Sequence, residues 1–349
     1  MALSITEKKI SGYERVIFGK DPERGLDAII AIHHLGRGPA CGGIRLLPYA
    51  NSDEALTDVL RLSRGMSYKS ALANVGFGGG KAVMIADPKA KHPQMFQAMG
   101  ELVETLGGEY IAAKDMNVTS EDLLQVRNTT KHVLGIETVP GSSGDPSPMT
   151  AHGLFRALEA TVDHLYGSRY LHGLKVAVQG IGHVGYRFAQ KLFEAGAEVW
   201  VTDTDPEVVS RAGKELKAKS ITLENIYDLP VDVFSPCARG AILNSSTVPR
   251  LKCRAVVGAA NNQLATEVDG FRLHESHILY APDYAVNSGG IINIFIEYEN
   301  GKYEEAKAMT KTDGIFETMK EIFLRSKSSH RPPFVVADEL AVERLQAAP

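Results

Sequence analysis

The stretch LKVAVQGIGHVGYRFAQKLFEAGAEVWVTDTD, residues 174–205, leaves few folds open. An apolar strand over Lys175 to Gln179 runs into Gly180, Gly182 and Gly185 at GxGxxG spacing. A helical segment and a second strand closing on Asp203 follow. Strand, glycine turn, helix and terminal acid together form the dinucleotide-binding pattern in its structural context. The glycines allow a tight turn and a close approach of a pyrophosphate to the helix N-terminus. Asp203, 18 residues after Gly185, can accept hydrogen bonds from an adenosine ribose, and its charge repels a 2′-phosphate, which favours NAD over NADP. The alternative is a tight turn in an α/β fold that binds nothing.

Further short apolar runs follow: VDVFSP, AVVGAA and ILYAP. Each ends in small or polar residues, as expected of a parallel sheet that presents ligand groups at its strand ends. Ser235, Asn261, Asn262 and Asp283 are thereby expected near the cofactor, though each could equally be a turn residue. NSGGIINIF, from Asn287, opens a further helix. Upstream, PGSSGDPSP is dense in structure-breaking residues and marks a domain boundary. The expected architecture is α/β with two domains and a deep cleft between them. Residues 1–140 form an N-terminal substrate and oligomerisation domain, 141–329 a Rossmann-type domain, and a terminal helix within 330–349 returns to the first.

In the first domain, Tyr13 to Phe18 and Asp27 to His33 suggest a strand pair, and Ser52 to Ala73 an amphipathic helix. RGPACGGIR reads as a glycine-rich loop that either connects or lines a site. RGMSYKSALANVGFGGGKAVMIADP sets Lys69 and Lys81 on either side of Gly78, Gly79 and Gly80, a turn whose bare backbone could admit a small anion. A desolvated lysine beside a second cation loses its proton readily and suits general-base work. GEYIAA reads as a strand delivering Asp115 at its far end. Thr119 with Asp122 reads as a helix cap, and Asp115 could be a turn acid.

At 349 residues the chain is long enough for two cores. Its net charge of -4, without a long basic run, excludes nucleic acid and anionic membrane as expected partners. Cys41, Cys237 and Cys253 are too few and too separated for a disulfide framework, which fits a reducing cytoplasm. Neither CxxC nor HExxH spacing occurs, so no metal is expected. No signal-peptide core or membrane-length apolar run is present.

GPACGGIR, RGMSYKSALA with GGGKAV, SSGDPSPMTAHG, VQGIGHVG, SPCARGAI, GAANNQL and YAPDYAVNSGGIIN occur in one order along nearly the whole chain. As a set they closely resemble the glutamate, leucine, phenylalanine and valine dehydrogenase family, and the leucine dehydrogenases most of all. The resemblance implies that Lys69 binds the substrate α-carboxylate, with Gly42 and Gly43 beside it. It implies that Lys81 is the general acid/base acting on water and that Asp115 exchanges protons with the amine. It assigns Asn262 to substrate and nicotinamide. Cofactor binding falls to Gly180, Ile181, Gly182, His183, Val184, Gly185, Asp203, Thr150, Cys237, Ala238 and Asn287.

The implied reaction is NAD-dependent reversible oxidative deamination of an L-amino acid to its 2-oxo acid and ammonia, by a homo-oligomer. Glutamate-specific relatives carry a lysine before the paired glycines, where this chain has Cys41. The other implied pocket-wall positions, Ala113, Ile291 and Ile294, are compact and apolar. Burying a second carboxylate there is costly, whereas a branched aliphatic side chain gains roughly 1.5–3 kcal/mol. Leucine, valine or isoleucine is therefore the expected substrate. The competing expectations are phenylalanine or another apolar amino acid, and a catalytically silent sensor on the same fold. Cys41 is smaller than the leucine common at its position in leucine dehydrogenases, which enlarges the expected pocket, and that pattern also has an acid before the catalytic aspartate and a glycine soon after it. Here Lys114 and Asn117 flank Asp115, and Lys114 adds a charge that could lower the Asp115 pKa.

Overall fold

Alternation of side chains along extended strands decides which residues of the first half can meet. The computed structural model describes residues 3–347. It begins β1 (Ser4–Lys8), β2 (Arg15–Asp21), β3 (Leu26–His34), β4 (Ala40–Leu47), α1 (Ser52–Leu72), β5 (Gly78–Ile85), α2 (Pro93–Glu104), β6 (Tyr110–Lys114) and α3 (Ser120–Arg127). These strands form one sheet in the order β1-β2-β3-β5-β4-β6. β1, β2, β3 and β5 pair antiparallel in turn, while β4 runs parallel to both β5 and β6.

One face of this sheet, with Ile30, Ile32, Ile44, Ala82, Met84 and Tyr110, packs on Phe96, Met99 and Leu102 of α2 and Leu123 and Val126 of α3. The other face, with Ile29, Ala31 and Val83, packs on Ala55 and Val59 of α1. Successive residues point to opposite faces. Lys81 and Arg45, each one residue out of step with Ala82 and Ile44, therefore belong to the α1 face.

Two glycine-rich segments read as a turn and a loop are strands. Gly78, Gly79 and Gly80 are buried residues of β5, with their backbone engaged by β3 and β4, and so form no anion-binding turn. The reason is close packing: a Cβ at Gly79 would lie 2.2 Å from the Ser67 backbone nitrogen of α1. The residues α1 buries are correspondingly small for most of its length, Ala55, Val59, Ser63, Ser67, Ser70 and Ala71, with Leu72 at its end. RGPACGGIR likewise supplies most of β4, the strand between β5 and β6.

The remaining elements are α4 (Ser147–Tyr166), β7 (Lys175–Gln179), α5 (His183–Glu194), β8 (Glu198–Thr202), α6 (Pro206–Leu216), β9 (Lys219–Ser220), β10 (Val233–Pro236), β11 (Ala255–Val256), α7 (Glu267–Glu275), β12 (Leu279–Tyr280), α8 (Asp283–Val286), α9 (Gly289–Asn300), α10 (Glu305–Ser329) and α11 (Pro333–Gln346). Their strands form a second sheet, wholly parallel, in the order β12-β11-β10-β7-β8-β9. Strand order reverses between β7 and β10, the doubly wound arrangement whose ligands lie at the carboxyl ends of the strands beside that switch.

The chain divides into two units. The first holds the chain up to Asp145, Asn293–Glu304 and the segment from Ala341; the second holds Pro146–Ile292 and Glu305–Leu340. Residues 293–304 thus leave the second domain to which the sequence had assigned them. The cause is Glu297 of α9, whose buried carboxylate accepts hydrogen bonds from the Gly135 and Ser143 amides and the Ser142 and Ser143 hydroxyls. Among the described residues no helix is long and apolar enough to cross a membrane.

Candidate active site

Three neighbouring strands of the first unit deliver one charged side chain each to the α1 face. Lys81 Nζ of β5 lies 2.7 Å from Asp115 Oδ2, just beyond the end of β6, and Arg45 Nε of β4 donates to the same oxygen at 3.0 Å. The Lys81 side chain is only 8% exposed, so this ion pair works in a partly desolvated setting. Burial pushes the Asp115 carboxyl up, but Lys81 and Arg45 outweigh it and hold the group below the usual carboxylate range. The cation found beside Lys81 is Arg45, which the sequence reading did not name, and both contact the same carboxylate oxygen.

Room for this arrangement comes from Gly43. A Cβ there would sit 2.7 Å from Asp115 Cβ, so any side chain would displace the aspartate. On the opposite side of β4, the Tyr110 hydroxyl donates to the Gly42 carbonyl at 2.5 Å. Asn117 adopts a left-handed conformation, φ +61°, and its amide donates to the Leu46 carbonyl at 3.0 Å. Asparagine is one of the few residues besides glycine that takes this conformation readily, so the turn after Asp115 is kept without glycine. Lys114 points out of register with Asp115 and pairs with Glu137 at 2.8 Å. The shift at Asp115 traces to Lys81 and Arg45 instead.

Lys69 lies half-buried in the last turn of α1. Of the expected wall residues, Cys41 and Ala113 are buried on β4 and β6 in this unit. Burial pushes the Cys41 thiol up to about 12, keeping it neutral and effectively apolar. Ile294 belongs to the same unit and Ile291 to the second. Sequence reading missed Arg45 because GGIR was taken as a loop; strand alternation counted from Ile44 would have placed it.

The nucleotide-type residues gather at the carboxyl ends of the second sheet. Gly180 has φ +89°, and a Cβ there would meet Ala238 at 2.6 Å, so the first glycine is required by the turn and by contact with the loop after β10. A Cβ at Gly182 would meet nothing within 4 Å, which leaves open space at the start of α5, where His183 and Val184 begin the helix. A Cβ at Gly185 would collide with the Gly180 carbonyl at 2.0 Å, which sets helix against strand. Asp203 accepts from the Ile181 amide at 2.7 Å. An open cradle at a helix N-terminus with a carboxylate beside it fits the pyrophosphate and ribose of a nicotinamide dinucleotide.

Other predicted residues border the same strand ends. Cys237 donates its amide to the Gln179 carbonyl at 2.7 Å. The Asn262 amide, at φ +51°, donates to Asp283 at 2.6 Å. Asn287 donates its side-chain amide to the Ala259 carbonyl and to Asn261. Thr150 abuts Gly290, at 3.3 Å from a Cβ placed there. Ser235, by contrast, is sealed inside β10 beside Cys237.

Residues 13–132 match the family model of the Glu/Leu/Phe/Val dehydrogenase dimerisation domain, and residues 202–348 that of the glutamate/leucine/phenylalanine/valine dehydrogenases. A leucine dehydrogenase of Thermoactinomyces intermedius is 44% identical, the match covering 96% of this chain and 91% of that protein. A phenylalanine dehydrogenase of Caldalkalibacillus thermarum is 43% identical over 98% and 94% of the two chains. The crystal structure of L-tryptophan dehydrogenase from Nostoc punctiforme superposes with a TM-score of 0.87 at 41% identity, covering 96% of each chain. With its paired lysine and aspartate on one sheet, its nucleotide-type fold on the other and these likenesses along nearly its whole length, the chain belongs to the glutamate/leucine/phenylalanine/valine dehydrogenase family of amino-acid dehydrogenases.

Proposed function

We propose that this enzyme carries out NAD-dependent, reversible oxidative deamination of a branched-chain L-amino acid, leucine with valine and isoleucine. The observation that carries this reading is the 2.7 Å pair of Lys81 with Asp115, two proton-transfer groups held in contact on rigid strands. Bound at the glycine loop, NAD supplies the hydride acceptor. Everything else is work for the chain's own side chains.

Lys69 offers a fixed cation to the substrate α-carboxylate, which orients the α-carbon. Asp115, kept anionic by its two cationic neighbours, takes a proton from the substrate ammonium. Once the α-carbon has lost hydride, Lys81, its own proton released to solvent, removes a proton from water as that water adds to the substrate iminium. Asp115 then returns its proton to the departing amine and takes up the carbinolamine hydroxyl proton as the C–N bond breaks, giving the 2-oxo acid and ammonia, which carries that proton away as ammonium. Asn262 is assigned to substrate and nicotinamide, with Gly180, Ile181, Gly182, His183, Val184, Gly185, Thr150, Cys237, Ala238 and Asn287 to the cofactor. Asp203 is the basis for choosing NAD over NADP.

Cys41, Ala113, Ile291 and Ile294 are proposed as the side-chain walls, where compact apolar groups favour an aliphatic substrate. A second reading, a phenylalanine- or larger-ring amino acid dehydrogenase, is favoured by the phenylalanine and tryptophan dehydrogenases of similar identity. A homo-oligomer formed through the first unit is supported by the match to a dimerisation domain. Three free cysteines suit a reducing cytoplasm.

The test is Lys81→Ala. It is expected to lower turnover at least about a thousandfold while NAD binding, read by fluorescence titration, stays within about twofold. Retained turnover in that variant would remove Lys81 from the mechanism.

A further inference from the structure

The pair at the centre of the site does not stand alone. Arg45 Nη1 reaches past Asp115 to Asp58 of α1 at 3.1 Å, the Tyr49 hydroxyl donates to the same Asp58 oxygen at 2.7 Å, and Arg61 pairs with the other oxygen at 3.0 Å. Arg45 is 14% exposed and Asp58 17%, so its guanidinium is fixed by carboxylates on both edges. Both cations that hold Asp115, Lys81 and Arg45, contact its Oδ2. Lys81, Arg45, Asp115 and Asp58 carry two charges of each sign.

We propose that Arg45 is the positioning residue for Asp115, and that Asp58, locked by Tyr49, balances the charge that Arg45 brings to the Lys81–Asp115 pair. This rests on the reading of Lys81 and Asp115 given above. A planar guanidinium bound on two edges cannot swing, so it pins one carboxylate oxygen and leaves the other oriented for exchange. The remaining charged or titratable neighbours are Lys114 on the strand leading to Asp115, drawn off by Glu137, and Tyr110 on the same strand. Cys41 on β4, Arg61 on α1 and His33 on β3, whose Nδ1 meets Ser67 of α1, are further titratable or charged groups on these elements, as is Lys69 in the last turn of α1.

Removing one charge or the other from this cluster has opposite consequences. In Arg45→Gln the site loses a positive charge, and the rising limb of kcat/KM for deamination moves up by about one pH unit. In Asp58→Asn it loses a negative charge, and the same limb moves down. Arg45→Lys keeps the charge but not the fork, so the limb stays in place while kcat falls about tenfold. A merely structural role lowers kcat or melting temperature without moving the limb.

The experiment is the pH profile of kcat/KM for the wild type and these three variants, with the Asp115 carboxyl carbon followed by carbon-13 NMR in parallel. Opposite displacements in Arg45→Gln and Asp58→Asn, with Asp115 titrating higher in the first and lower in the second, support the proposal. Limbs and titrations that coincide with wild type overturn it. If wild type turns over no amino acid, the functional reading fails, and the NMR titration still decides whether Arg45 governs Asp115. If Arg45→Gln does not fold, Arg45→Lys and Asp58→Asn carry the same decision.

Discussion

His33 on β3 has its Nδ1 2.7 Å from the Ser67 hydroxyl of α1, and burial, reinforced by His34 and Arg64, lowers its pKa to about 4. The folded state therefore resists a proton that the unfolded chain accepts near pH 6.5. Stability from this group is present above that pH and is lost as pH falls from about 6.5 to about 4, amounting to about 2–3 kcal/mol. His33→Gln is expected to flatten the pH dependence of the urea midpoint across that window; an unchanged slope would contradict it. Asp115 has the same sign at lower pH, its stabilising pairing being lost only as its depressed pKa is crossed. At Asp203, Asp203→Ala is expected to narrow the preference for NAD over NADP by about tenfold or more, read as the ratio of kcat/KM values. Asp115 and Asp203 were legible as acids following strands, and Lys81 as a lysine leading into an apolar strand run, although β5 begins three residues before it. The identity of Lys81's closest partner was not, because that partner lies 34 residues away and meets it only through strand pairing.

Elements built from glycine are harder to read. β5 starts with three consecutive glycines and β4 contains two, compositions that local propensity assigns to turns. They are strands because neighbours occupy the space a side chain would take: Ser67 at Gly79, the Gly80 carbonyl at Gly42 and Asp115 at Gly43. Tertiary packing overrides propensity here, and one sequence gives no sign of it. Gly79→Ala, whose Cβ would fall 2.2 Å from a helix backbone atom, is expected to destabilise the protein by about 2 kcal/mol or more, measured by urea denaturation. A melting curve superimposable on wild type would show that α1 can move. Where apolar periodicity and turn residues agreed, the elements were readable: β7 to α5 to β8, α2 ending before Gly107, and the Thr119–Asp122 capping box at the start of α3.

For the whole molecule, the chain folds into an all-parallel sheet in the second unit and a mixed sheet in the first; in the first, Lys81 and Arg45 project from within β5 and β4 and only Asp115 follows a strand end. The fate of 293–304 was not legible, since it depends on Glu297 finding the amides and hydroxyls of a loop more than 150 residues earlier in the chain. Family membership and the contact of Lys81 with Asp115 are the grounds for the proposed activity. The measurement that tests it most directly is NADH formation by the purified protein with NAD and, separately, L-leucine, L-valine, L-isoleucine, L-phenylalanine and L-glutamate. NADH formed with the branched aliphatics, and none with glutamate, is the expected result. Absence of NADH with every aliphatic substrate while NAD binds, or a preference for glutamate, would contradict the account.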